Sequence, residues 1–224
     1  MEILKLKNVT YTYKGKYQTV KAVNGVSAAF ESGKVYAIVG KSGSGKTTLL
    51  SMLAGLDLPT DGAVYYNGTP TSKMDLDRYR RQDISVIYQG YNLFPLLTVL
   101  ENVMYPQQLL GASKKAAQEV AEDMLLKVGL KKEQFKRFPS MLSGGEQQRV
   151  AIARTLATHP KIILADEPTG NLDVENGDNV VDILIGLAHR LDYCVIIVTH
   201  DNALAQKADV LLQMSDGRLS ENAN

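Results

Sequence analysis

The chain has 224 residues, 45% of them hydrophobic, enough for one compact domain with a smaller subdomain attached and too few for two independent domains. Its 25 basic and 24 acidic residues nearly cancel, so no global field favours a polynucleotide, and no nucleic acid is expected as a partner. A single cysteine excludes an intramolecular disulfide and suits a reducing cytosol.

Residues Met1 to Lys7 lack the apolar centre of a signal peptide, and no apolar run reaches the length of a membrane span. Ile3 to Val9 alternates like a strand. Val35 to Val39 is a short apolar run that reads as a buried strand, and Thr47 to Ala54 reads as a helix. Between them lies Gly40-Lys41-Ser42-Gly43-Ser44-Gly45-Lys46-Thr47, a full match to Gly-x-x-x-x-Gly-Lys-Ser/Thr in the strand-to-helix setting that this motif requires. Its glycines let backbone N–H groups converge on phosphate oxygens, Lys46 adds a full positive charge, and the Thr47 hydroxyl is placed to ligate Mg2+. A dinucleotide site is the competing reading, but Gly43-Ser44-Gly45-Lys46-Thr47-Thr48 lacks the third glycine.

Ala63 to Asn67, before Gly68, reads as a strand ending in a hairpin turn, and Ile84 to Tyr88 as a further buried strand. From Gly90 to about Thr158 the pattern turns helical: Val99 to Tyr105, Ser113 to Val128 with Ser113 as cap, and a helix after Ser143. Ser143 and Glu146 form a capping box. That leaves Gly144 and Gly145 unexplained, since each glycine costs about 0.5–1 kcal/mol against alanine within a helix. Something is expected to approach that backbone closely.

Strand and helix then alternate: Ile162 to Ala165, Asn176 to Arg190, Cys194 to Val198, a short helix near Ala203, and Val210 to Met214. This points to an α/β core with parallel strands. Asp166 and Glu167 abut an apolar strand, where carboxylates are costly unless paired or metal-bound. Beside a complete phosphate loop, they read as a Mg2+ ligand and a residue that orients the attacking water or takes its proton. Thr199 and His200 end the next apolar strand at the same edge. Cys194, within an apolar run, reads as a small buried hydrophobe.

With these motifs the chain resembles the ATP-binding subunit of an ABC transporter over nearly its whole length, Leu142-Ser143-Gly144-Gly145-Glu146-Gln147 being the most specific match. The resemblance implies an α/β P-loop NTPase, RecA-like core with an N-terminal antiparallel β-subdomain over residues 1–89 and 159–224, and an inserted helical subdomain over 90–158. It implies ATP and Mg2+ as cofactors. Residues Gly40 to Thr48, including Lys41, Ser42, Gly43, Ser44, Gly45 and Lys46, would bind ATP, with Tyr13 rather than Tyr11 stacking on adenine. Thr47, Gln89 and Asp166 would serve the metal. Glu167, His200, Gln89 and Lys46 would be catalytic.

Ser143, Gly144, Gly145, Glu146 and Asp173, the last within the Asn171-Leu172-Asp173 loop, would meet ATP held by a second copy of the chain in a head-to-tail homodimer. The glycine pair would then clear side chains from a helix end that faces the twin's triphosphate. A membrane permease would dock near Leu93 to Tyr105, leaving the chain cytoplasmic and peripheral at the inner face of the membrane. The stretches Tyr88 to Pro95 and Asp166 to Asp173 are similar to the branch holding macrolide exporters, lipoprotein-release complexes and antimicrobial-peptide resistance systems. Two alternatives stay open: an ABC-type ATPase acting on DNA or ribosomes, and a mechanical regulator that drives a membrane partner without moving solute. Against the first, Thr47 and Ser143 are only 96 positions apart, too close for a long coiled-coil insertion, and the chain holds one cassette.

Overall fold

The computed structural model describes residues 1–15 and 18–221. In chain order, β1 (Glu2–Lys14), β2 (Thr19–Glu31) and β3 (Val35–Val39) lead to α1 (Lys46–Leu53), then β4 (Asp61–Tyr66), β5 (Thr69–Pro70), α2 (Leu76–Gln82) and β6 (Ile84–Ile87). Three helices follow, α3 (Val99–Leu109), α4 (Lys114–Lys127) and α5 (Gly144–Leu156). The chain closes with β7 (Ile162–Asp166), α6 (Val174–Leu191), β8 (Cys194–Thr199), α7 (Asn202–Gln206), β9 (Val210–Ser215) and β10 (Arg218–Glu221).

The strands form two sheets, an antiparallel one ordered β2-β1-β4-β5 and a core sheet ordered β10-β9-β3-β8-β7-β6. All neighbours in the core sheet are parallel except the β10–β9 hairpin. Both faces of this sheet are covered, which is why its central strands read as unbroken apolar runs. On one face Ile163, Ala165, Val195 and Ile197 pack with α3 to α6. On the other, Leu164, Cys194, Ile196 and Val198 pack with α1 and with β1 and β2. Each such fully buried aliphatic side chain contributes about 1.5–3 kcal/mol. Burial pushes the Cys194 thiol up to about 12, as expected for an inert core residue.

The loop from Tyr88 to Thr98 is fixed by two side chains. Asn102, fully buried, donates to the carbonyls of Phe94, Leu97 and Thr98 and accepts from the Phe94 N–H. Arg154 of α5 donates to the carbonyls of Tyr91 (3.1 Å) and Asn92 (2.6 Å) and lies 5.9 Å from the Phe94 ring centre. Burial lowers the Arg154 pKa, but a guanidinium stays charged, so these carbonyls are its compensation. Capping is as read for two helices: Ser113 accepts the Ala116 N–H, and Ser143 and Glu146 form the reciprocal box.

The sequence reading did not include β2, α2 or β10. In β2, Asn24-Gly25 mimics a turn, yet it sits within a strand whose pairing with β1 is interrupted by register shifts, with Gly25 at φ 68°. Helix α2 has only seven residues, mostly charged, and owes its start to the Asp75 side chain capping Asp77 and Arg78. The β10 strand is short and polar. Helix α3 continues past Tyr105 to Leu109 with Pro106 inside it.

Candidate functional site

The loops after β3, β6, β7 and β8 leave the same edge of the core sheet, because these strands run parallel with Val39 opposite Thr199, Asp166 opposite Val198 and Ile87 opposite Ala165. Such carboxyl ends are where open α/β sheets bind ligands. A cavity of ≈ 800 Å³ lies there, lined by residues 40–43 and 45–48 of the glycine loop, by Gln89, Asp166, Glu167 and His200, and by Tyr13 at β1. Val20 and Ala22 also line it; they escaped the sequence reading together with β2, and only the weak alternation of that strand pointed to them.

Gly45 takes φ 107°, outside the range open to other residues, and the Ala22 carbonyl occupies the place of its missing Cβ. The glycine therefore lets β2 press against the loop while α1 starts at Lys46 without any side-chain cap, leaving its first N–H groups to a ligand. The Lys46 ammonium donates to the carbonyls of Gly40 (2.7 Å) and Lys41 (3.1 Å), which holds it inside the arc of the loop. Ser44 alone of residues 40–48 does not line the cavity. It is buried outside the cavity lining, with its N–H donating to Lys41 O at 3.2 Å and its carbonyl accepting from the Gly217 N–H at 3.0 Å, so it braces the loop from behind.

The Asp166 carboxyl has its pKa raised by burial and by the neighbouring Glu167, against a lowering pull from Lys46. The Thr47 hydroxyl, the Gln89 side chain and Asp166 offer oxygen donors, the set a hard cation such as Mg2+ selects. Among the described residues no group of three His, Cys, Asp or Glu side chains forms a full metal cage, so such an ion would take its other ligands from water and phosphate oxygens.

Glu167 carries φ 48° and directs its carboxylate toward the end of β8. One oxygen lies 2.8 Å from His200 Nδ1, and the other accepts from the Thr199 hydroxyl at 3.1 Å. Sequence reasoning foresaw His200 at this edge but not its bond to Glu167. Gln89 and Asn171 are joined by two bonds, Asn171 Nδ2 to the Gln89 carbonyl at 3.0 Å and Gln89 Nε2 to Asn171 Oδ1 at 3.4 Å. Tyr13 and Tyr11 pack edge to face with centroids 4.9 Å apart, but their hydroxyls diverge: Tyr13 reaches Thr48 Oγ1 at 3.3 Å, while Tyr11 donates to Asp57 at 3.3 Å. Only Tyr13 lines the cavity.

Ser143, Gly144, Gly145, Glu146 and Asp173 do not line this cavity. Ser143 is exposed at the start of α5, whereas Gly145 is buried within its own chain. A Cβ on Gly145 would collide with the Asn176 side chain, and one on Gly144 would come within 2.6 Å of the Tyr91 hydroxyl. Packing inside one chain thus already calls for glycine at position 145, where the close approach comes from Asn176, while Gly144 is crowded only by the end of the Tyr91 side chain. Glu146 has both oxygens engaged locally, by the Ser143 N–H at 2.8 Å and by Gln134 Nε2 at 2.6 Å. Asp173 caps α6 through the Asn176 N–H at 2.9 Å, and this bond lowers its pKa.

The Leu93 to Tyr105 stretch divides in two. Val99, Val103 and Met104 are core, while Leu96 is 87% exposed and Phe94 and Tyr105, packed together with centroids 4.9 Å apart, stand partly in solvent. No helix among the described residues is long and apolar enough to cross a membrane.

Residues 23–170 match the ABC transporter family. The uncharacterized ABC transporter ATP-binding protein YclH of Bacillus subtilis is 41% identical over 224 residues, covering 100% of this chain and 98% of that protein. The lipoprotein-releasing system ATP-binding protein LolD of Shewanella frigidimarina is 42% identical over 220 residues, 97% of this chain and 92% of its own length. Among solved structures, the dimeric bacterial ABC transporter cassette MJ0796 superposes with a TM-score of 0.89 at 38% identity, covering 99% of this chain and 100% of that one. Its dimeric post-hydrolysis state bound to ADP and Pi gives a TM-score of 0.89 at 37% identity over the same shares.

Proposed function

The chain belongs to the ABC transporter family as an ATP-binding subunit with ATPase activity, and from that premise we propose that two copies close head to tail around two ATP molecules and drive a membrane permease. The observation that carries this reading is a division of labour within one chain. The glycine loop, Gln89, Asp166, Glu167 and His200 share a single cavity, while Ser143, exposed at the start of α5, and the half-exposed Gly144 beside it lie outside that cavity.

In this reading the loop amides, Lys46 and the uncapped start of α1 hold the β- and γ-phosphates, and Tyr13 stacks on adenine. Thr47, Gln89 and Asp166 would hold Mg2+, which when bound neutralises phosphate charge. Glu167, kept in place by His200 and Thr199, orients the attacking water and takes its proton. Ser143 and the Gly144 and Gly145 amides of the second copy complete the charge stabilisation at the γ-phosphate. With Glu146 engaged in its own cap, the contact across the interface rests mainly on Ser143 and the helix end.

The similarity to a lipoprotein-releasing ATP-binding protein supports export or extraction of a lipoprotein-like, peptide or drug substrate. The exposed edge of Phe94, Leu96 and Tyr105 would receive the permease. The test is the mass in solution of Glu167→Gln with and without ATP: a dimer formed only with ATP supports the reading, and a monomer at saturating ATP overturns it.

A further inference from the structure

Gln148 lies one turn along α5 from the glycine pair and is fully buried. Its Nε2 donates to the carbonyl of Pro168 at 2.9 Å, and Pro168 directly follows Glu167. Its Oε1 has no hydrogen-bond partner among the described residues. A half-satisfied buried amide is a cost that an apolar side chain of the same size would avoid, so stability does not explain the residue.

The segment that receives this bond is otherwise stiff. Glu167 is held in a left-handed conformation, its carbonyl accepts from the Gly170 N–H at 3.1 Å, and Thr169 O accepts from the Leu172 N–H at 3.0 Å. Gly145 packs against Asn176 at the far end of the same segment. A displacement of α5 therefore reaches the backbone beside Glu167 through one donor, with little slack to absorb it.

We propose that Gln148 is a positioning residue that ties the placement of the Glu167 carboxylate to the position of the signature helix in the same chain. The inference rests on the two-chain reading above, in which Ser143 meets the twin's triphosphate while Glu167 serves the nucleotide of its own loop. The Gln148–Pro168 bond then links the two ATP sites. Engagement of one triphosphate sets the carboxylate that orients and deprotonates the water attacking the other.

Gln148→Met keeps the volume and removes the donor. The expected result is a kcat lower by about tenfold, roughly one hydrogen bond's worth of alignment, with KM for ATP within about twofold. On this coupling the parent's rate should rise sigmoidally with ATP and the Met variant's hyperbolically. The thermal midpoint should move little, because the variant removes the unpaired Oε1 but leaves the buried Pro168 carbonyl without its donor. Gln148→Glu adds a second reading: its buried carboxyl, neutral at about pH 6, donates O–H to the Pro168 carbonyl and restores the rate, which falls again by about pH 9 as it ionises. Unchanged kcat and sigmoidicity in the Met variant, a kcat loss tracking a lower thermal midpoint, or a pH-independent Glu variant would each overturn the proposal. ATP-dependent dimerisation of Glu167→Gln alone tests the two-chain reading separately, and the same variant carrying Gln148→Met should still dimerise.

Discussion

Glu167 and His200 stand at the ends of adjacent parallel strands with a carboxylate oxygen 2.8 Å from the imidazole Nδ1. The second oxygen of the same carboxylate is fixed by Thr199, so both restraints come from β8. Strand register brings these groups together, not proximity in sequence: Glu167 and His200 are far apart along the chain, but β7 and β8 pair residue for residue up to Asp166 and Val198.

The carboxylate should therefore be needed for turnover and not for binding. Glu167→Gln keeps the shape of the site, and its amide can still accept from Thr199 and donate to His200 Nδ1, but it cannot accept the water's proton. We expect kcat to fall by about 100-fold or more with ATP affinity within about threefold, read by phosphate release and by nucleotide titration. Near-normal turnover would remove Glu167 from the role given to it.

Ser143→Arg should abolish turnover while the monomer still binds ATP, because Ser143 lies outside the cavity of its own chain. Losing the cap to Glu146 should also lower stability by about 0.5–2 kcal/mol, measured by denaturant unfolding. Loss of ATP binding by the single chain would place the signature in its own site and end the two-chain account.

Asp166→Asn separates stability from activity. The folded-state pKa of Asp166 is raised by burial, so at neutral pH its ionised form opposes folding. The penalty is absent below the ordinary Asp value of 3.8 and grows as pH rises through the raised value. The Asn variant should thus melt higher than the parent at neutral pH and lose that advantage in acid. Its Mg2+-dependent hydrolysis should drop. A lower midpoint at neutral pH would refute this assignment of strain to Asp166.

Gly145→Ala places a methyl group against Asn176. Overpacking of this kind costs about 1–3 kcal/mol. Adding Asn176→Ala should recover part of that loss, since the Asn176 amide is removed but its Cβ remains. The comparison is a double-mutant cycle in urea, and strict additivity of the two substitutions would show that the contact is not the cause.

Leu96→Glu should leave stability within about 0.5 kcal/mol and the ATPase rate of the isolated chain unchanged, since the side chain is 87% exposed. Copurification with the membrane partner should fall sharply. Undiminished copurification would move the docking edge elsewhere.

Much of this architecture was readable in advance because the parallel strands are sealed on both faces and the glycine loop follows one of them directly. Val35 to Val39 and Ile162 to Ala165 could hardly be anything else. What escaped was set by tertiary contacts: β2 depends on pairing with β1 across several register shifts, and Ser44 is indistinguishable in sequence from the other loop residues until Gly217 is seen to hold its carbonyl. The bond between Glu167 and His200 likewise needs the register of two strands. The cause of the glycine pair was half legible, because its neighbours Tyr91 and Asn176 come from distant segments.

Arg154, with its grip on the Tyr91 and Asn92 carbonyls, sits ten residues along α5 from Gly144. At 1.5 Å per residue that is an arm of about 15 Å. A tilt of about 10° pivoting at the guanidinium would sweep the glycine end through roughly 2.6 Å, close to one hydrogen-bond length. In the proposed two-chain reading, a small rotation of α5 would thus be geared up into the making or breaking of a phosphate contact, a ratio that paired spin labels at the two ends of the helix can measure.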